Sequence, residues 1–285
     1  RNLGIAFFRT AMFEEAQREF RRVAELRPSE GPAPFYLGLI AARQDRWNEA
    51  ADAFRQAVDR SGPRPALLYN LGIALAQTGR GDQAEALLTE AAGRAPDDAR
   101  IQTGWGIAAL KRSEPRMAQQ RLARARELWR DKAPPVWYWA ATRAEAGAGD
   151  LHAALALAQE AVERHPADPV LRNNLAVLLE AAGDNATAEE VLRELLAEEA
   201  ALPQPFKNLG DLLYRSGRYD DAAAMYERAA ALDGSLGDDL FFKLGNLAFR
   251  RRDATAARRH WEHAVALNPG HQLARANLEK LSISL

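Results

Sequence analysis

Cysteine is absent from the 285-residue chain, which excludes disulfides, thiolate metal sites and cysteine nucleophiles together. β-branched residues are scarce. The chain holds 8 Val, 6 Ile and 7 Thr against 59 Ala, so strand-favouring residues are far outnumbered by the best helix former and an all-α chain is expected. Charge of one sign is also lacking. A net charge of -1 leaves no bulk electrostatic footprint for nucleic acid, and no nucleic-acid partner is expected. Only 5 of the 38 basic residues are Lys, an arginine bias of the kind a GC-rich bacterial genome produces. Long apolar runs are missing too. The longest uncharged stretch, Pro65 to Gly79, carries Asn70 and Gln77 and is too short to span a bilayer, so no transmembrane segment is expected. No basic segment followed by an apolar one precedes the first helical pattern. The compartment stays open, with the cytoplasm favoured and the periplasm the alternative.

What is present is a repeat of about 34 residues. A small pair recurs as Leu3-Gly4, Leu37-Gly38, Leu71-Gly72, Trp105-Gly106, Ala140-Ala141, Leu175-Ala176, Leu209-Gly210 and Leu244-Gly245. Downstream of each comes an Ala, a large residue four later and a small one three after that, as in Ala50, Phe54, Ala57 or Ala222, Tyr226, Ala229. Spacings of three and four place each trio on one helix face. A glycine on one helix lets its partner approach closely, and the large residue fills the space between them. Turn signals divide the two helices, as in Gln77 to Asp82, Ala182 to Asn185 and Arg215 to Arg218. Prolines Pro28, Pro63, Pro96, Pro134, Pro166, Pro203 and Pro269 are expected to mark the ends of the second helices.

The pattern resembles the tetratricopeptide repeat family along essentially the whole chain. The resemblance implies an all-α superhelical solenoid of about eight helix-turn-helix repeats, near 1–30, 31–64, 65–98, 99–133, 134–168, 169–202, 203–237 and 238–270. A capping helix over 271–282 follows, with Glu279 in place of the close-packing glycine, a face suited to water at the end of an array. Repeat five departs locally, with Ala140-Ala141 and a longer stretch from Ala146 to His152; repeat seven has Gly234 where proline is expected. Arg1 begins inside a helix, and a longer gene product extending upstream is expected.

No catalytic constellation, cofactor motif or metal cluster stands out. His260 and His263 flank Trp261, assigned to the core, and read as a solvated face. Arg80-Gly81-Asp82 falls in a turn that the repeat requires, Asn185-Ala186-Thr187 is a formal glycosylation sequon only, and Gly147 to Asp150 lacks the strand and Lys of a phosphate loop. A non-catalytic scaffold is expected, binding an extended peptide or partner segment in a concave groove lined by the first helices. The alternative is the recruiting arm of a larger enzyme.

Within the groove that the resemblance implies, one register holds Asn2, Asn70, Asn174 and Asn208, and Tyr36, Gly104, Trp139 and Lys243 in the other repeats. An amide both donates and accepts, so such a row can pair with a peptide backbone. It is similar to the asparagine ladder of O-linked N-acetylglucosamine transferases. The competing reading is that these amides bond within their own helix pairs. Seven residues on come Arg9, Arg43, Gln77, Lys111, Ala146, Ala181, Arg215 and Arg250, a basic bias that favours acidic residues in the partner or is a solvated stripe. Phe8, Phe35, Tyr36 and Tyr69 make the N-terminal half aromatic, whereas Asn173, Lys207, Asp211 and Asn246 make the C-terminal half polar. Apolar anchoring is expected at one end and polar contact at the other, with Asn246 and Arg250 closing the series.

Overall fold

The computed structural model describes residues 2–27, 32–198 and 201–283. Arg1 and Pro28, both used above, lie outside them. The described residues form helices and no strand. Eight pairs follow in order: α1 (Asn2–Arg9) with α2 (Phe13–Leu26), α3 (Pro32–Arg43) with α4 (Trp47–Ser61), α5 (Pro65–Gln77) with α6 (Gly81–Arg94), and α7 (Ala99–Lys111) with α8 (Pro115–Trp129). After a 3-10 turn come α9 (Pro135–Ala148) and α10 (Leu151–Arg164), α11 (Pro169–Ala181) and α12 (Asn185–Glu198), α13 (Pro203–Arg215) and α14 (Tyr219–Leu232), and α15 (Asp238–Arg250) and α16 (Ala254–Leu267). The last described helix is α17 (Gln272–Ile283), which follows α16 with no second helix of its own among the described residues. The backbone forms two compact units, 1–154 and 155–285, which divide within α10.

Close packing inside six of these pairs follows the repeat. A Cβ added at Gly4, Gly38, Gly72, Gly106, Gly210 or Gly245 would meet Phe20, Phe54, Leu88, Leu122, Tyr226 or Trp261 respectively, always at one spacing along the chain. The large side chains at these sites are buried, Phe20, Leu88 and Tyr226 completely. Repeat five, which has Ala140-Ala141 instead, keeps its first helix buried by other means. Trp137 and Tyr138 are both core residues, in edge contact with ring centroids 4.9 Å apart, and the Trp137 indole N–H donates to Leu122 O across 3.0 Å.

The turn inside each repeat also has one geometry. Gly79, Gly149, Gly183 and Gly217 have positive φ, and so do Ala11, Asp45, Ser113 and Arg252 at the same register. Four turns therefore hold a left-handed residue with a Cβ, where no glycine signals the bend. In repeat five the left-handed Gly149 lies one residue later than in its neighbours, which resolves the longer stretch noted there as a single insertion within α9. Prolines act mainly as helix openers: Pro65, Pro115, Pro135, Pro169 and Pro203 occupy the first turn of α5, α8, α9, α11 and α13, where the missing N–H costs nothing. Pro203 thus starts a first helix rather than ending a second one.

One glycine joins neighbouring repeats. A Cβ on Gly104 would lie 2.3 Å from Tyr69 Cε2 and 3.0 Å from Ile73 Cδ1, so α7 and α5 touch through its bare backbone. Gly104→Ala is expected to destabilise by about 1–3 kcal/mol, the usual cost of overpacking, read as a lower urea midpoint. A change within error of zero would show that the Tyr69 ring yields freely.

Candidate protein-binding site

First helices of successive repeats approach one another, α5 with α7 and α7 with α9 in the N-terminal unit and α11 with α13 in the C-terminal one. They therefore share one side of each unit, and the polar row described above lies on them.

In the N-terminal unit this side begins with packed aromatics. Tyr36 stacks flat on Phe20 with centroids 4.6 Å apart, and meets Phe8 at 5.8 Å and Phe35 at 5.7 Å. Phe35 also packs on Phe54. Tyr69 is half-buried against Gly104, and burial raises its phenol pKa. Asn2 is exposed at the start of α1, whereas the Asn70 amide donates to Ala66 O of its own helix at 2.6 Å. Arg9, Arg43 and Lys111 are all exposed, and each lacks an ion-pair partner among the described residues.

The C-terminal unit holds a different arrangement. The Asn208 amide donates to Asn173 Oδ1 at 2.8 Å and its carbonyl accepts from Gln204; Asn174 is half-buried beside them in sequence. Arg215 pairs with Glu180, and Arg250 lies 4.2 Å over the Tyr219 ring. Asn208, Asp211, Arg215 and Glu180 line an open depression together with Val177. Asn246 faces inward: its Oδ1 accepts from Trp261 Nε1 at 3.1 Å and from Asn277 of α17 at 3.2 Å. The row thus contains free cations in one unit and mutually engaged groups in the other.

Sequence reasoning named Lys207 and Asp211 only as polar residues of the C-terminal half and missed the network that unites them. Asp211 accepts from Lys207 at 2.9 Å, Lys243 at 2.7 Å and the Tyr226 hydroxyl at 2.7 Å, and Lys243 also reaches Asp239 at 2.7 Å. Burial alone would raise the Asp211 carboxyl, but bonds from Lys243, Tyr226 and Lys207 outweigh it and hold it below the ordinary carboxylate range. Burial, and then the Asp211 charge, push the Tyr226 phenol up. The available signal was two Lys-Asp pairs at helical spacing, Lys207 to Asp211 and Asp239 to Lys243, in a chain with only 5 Lys. His263 and His260 pack on Phe241, at 3.9 and 6.5 Å between ring centroids, and His263 Nε2 contacts Gly234 O at 3.0 Å.

Paired helices stacked by a small-residue seam define the class as an α-helical repeat protein. Profiles described as tetratricopeptide repeat match residues 41–104 and 145–209, and 1–65 and 207–272. The chain belongs to the tetratricopeptide repeat family. A solved chain of the APC/C hetero-tetramer Cut9-Hcn1 is similar in fold, with a TM-score of 0.70 at 16% identity over 94% of this chain and 52% of that one. Yeast Tom70 gives 0.73 at 15% identity over 95% and 59%. A tetratricopeptide repeat protein from Parabacteroides merdae ATCC 43184 gives 0.70 at 16% identity over 86% and 96%. Among curated proteins, a cellulose synthase operon protein C from Xanthomonas axonopodis pv. citri (strain 306) is 30% identical over 186 residues, 58% of this chain but 12% of the relative. No described helix is long and apolar enough to cross a membrane.

Proposed function

We propose that the chain is a non-catalytic protein-interaction scaffold that holds an extended partner segment along the side formed by its first helices, as the repeat family commonly does. The observation that carries this reading is the set Arg9, Arg43 and Lys111, exposed cations at one repeat register with no ion-pair partner among the described residues. They favour carboxylates in the partner. The amides of Asn2 in the N-terminal unit and of Asn174 and Asn208 in the C-terminal unit supply backbone contacts. A partner recovered by pull-down and prepared pure is expected to bind Arg43→Ala with Lys111→Ala about tenfold more weakly, with a shallower salt dependence. Asn174→Ala with Asn208→Ala is expected to cost a similar factor. Unchanged affinity in both double variants would remove the groove assignment.

A second reading is favoured by the Xanthomonas relative, of which this chain spans only 12%. In it the repeats are the recruiting arm of a much longer protein associated with a cellulose synthase system. The flanking domains of the full reading frame decide between an independent scaffold and an arm.

A further inference from the structure

A cavity of about 220 Å³ lies between the third and fourth repeats of the N-terminal unit. Ala76 and Ala84 line it from the third repeat, and Trp105, Ala108, Ala109 and Met117 from the fourth. By repeat register Ala108-Ala109 correspond to Leu178-Leu179 and Leu212-Leu213 of the sixth and seventh repeats, each three carbons longer. The corresponding niche of the eighth repeat, about 210 Å³, has no aromatic wall and includes Glu227, Arg251, Asp253, Arg259 and His260. Glu85, Lys111, Arg112 and Glu114 also line the former, but Trp105, Met117 and the alanines make most of its wall apolar. The Trp105 wall is held in place: the Arg121 guanidinium lies 3.4 Å from its ring centroid. The part of the wall made by Trp105, Met117 and the alanines offers a water molecule few partners, and filling the space against it with apolar atoms restores the dispersion contacts that this wall lacks.

The charges at the mouth differ in kind. Arg112 is saturated, with Asp82 at 3.1 Å, Glu85 at 2.7 Å and Glu114 at 2.9 Å. Lys111 lines the same cavity and is exposed, with no ion-pair partner among the described residues. It also belongs to the cation row on the first helices. We infer that this cavity is a specificity pocket for one large apolar side chain of the bound partner, with a neighbouring carboxylate of that partner meeting Lys111. The inference deepens the scaffold reading and rests on it for the source of the side chain, but the pocket itself can be tested without any partner.

The test compares three probes that share one ring: indole, indole-3-acetate and tryptamine, each titrated by saturation-transfer NMR. Indole is expected to bind with a Kd of about 1 mM, as suits a ring of its size. Indole-3-acetate is expected to bind about fivefold tighter than tryptamine, and Lys111→Ala to erase that difference while leaving indole unchanged. Ala108→Leu with Ala109→Leu is expected to abolish binding of all three. Ala76→Leu, at a half-buried position of the same lining, is the second filling variant should the double one not fold, as judged by circular dichroism. Binding that survives a folded filling variant would overturn the pocket, and tryptamine binding as tightly as indole-3-acetate would overturn the carboxylate. If the probes bind as expected while Arg43→Ala with Lys111→Ala leaves partner affinity intact, the groove reading and the Lys111 contact to the partner both fail and only the apolar pocket stands; if Asn174→Ala with Asn208→Ala alone leaves it intact, the amide contacts fail and the inference stands whole.

Discussion

Trp261→Ala is expected to destabilise the C-terminal unit by about 3–5 kcal/mol, the range for truncating a buried aromatic that leaves a cavity behind. Trp261 is 3% exposed, and its Cδ1 and Nε1 lie 2.4 Å from where a Cβ on Gly245 would stand. No neighbouring side chain can collapse into the vacated volume from that side, because Gly245 has none. The loss also reaches beyond the pair. Asn246 Oδ1 joins the indole N–H to Asn277 of α17, so removing the indole loosens α17. Trp261→Phe, which keeps a ring but not the N–H, is expected to cost less, about 1–2 kcal/mol. Gly245→Leu in the Trp261→Ala background is expected to recover part of the loss, which a double-mutant cycle in urea reports as a coupling energy. Because each repeat contacts only its neighbours, amide exchange should rise first in α15 to α17, the helices that Trp261 and Asn246 join. A loss below about 1 kcal/mol would show that the aromatic is not what spaces these two helices.

The helix pairs were legible because each depends on residues close in sequence: a small residue on one helix, a large one at a set distance on the next. Elements that depend on the environment were not. The turns at Ala11, Asp45, Ser113 and Arg252 adopt the left-handed conformation of their glycine counterparts, since the packed helices on both sides dictate the bend whatever residue occupies it. Asn70, Asn174, Asn208 and Asn246 look equivalent as letters. Yet Asn70 bonds its own helix, Asn208 bonds Asn173, and Asn246 bonds inward to Trp261. Which amide has capacity left for a partner is decided by its neighbours in space. The same holds for the basic row, where Glu180 and Tyr219 engage Arg215 and Arg250 and nothing comparable meets Arg43. The apolar cavity was present in the sequence only as Ala108-Ala109 against the Leu-Leu of the sixth and seventh repeats, a departure whose meaning needs the surrounding walls.

Asp211→Asn is expected to cost about 2–3 kcal/mol at neutral pH, below the cost of breaking a fully buried ion pair because the site keeps some contact with water. The Asp211 side chain is 15% exposed, and Lys207 and Lys243 are 17% and 22% exposed. Removing the carboxylate leaves two ammonium groups close together, with Asp239, 2.7 Å from Lys243 and 3.9 Å from Lys207, the one carboxylate paired with them among the described residues. Tyr226 retains an oxygen acceptor in the amide, so the loss is electrostatic rather than steric, and Asp211→Leu should cost more by orphaning the hydroxyl as well. The pH dependence separates these effects. The folded-state carboxyl lies below its ordinary value, so its contribution is complete above about pH 4 and disappears as the pH falls through the depressed folded-state pKa. The raised Tyr226 phenol contributes in the opposite sense: its share is complete below about pH 10 and is lost as the pH climbs beyond. Thermal melts of wild type and Asp211→Asn between pH 7 and pH 2 should therefore keep their separation down to about pH 4 and draw together below it, as the unfolded wild type takes up a proton that the folded carboxylate resists. A constant separation across that range would mean that the carboxylate acts through shape alone, and that the lysines of the seventh and eighth repeats are held by something other than its charge.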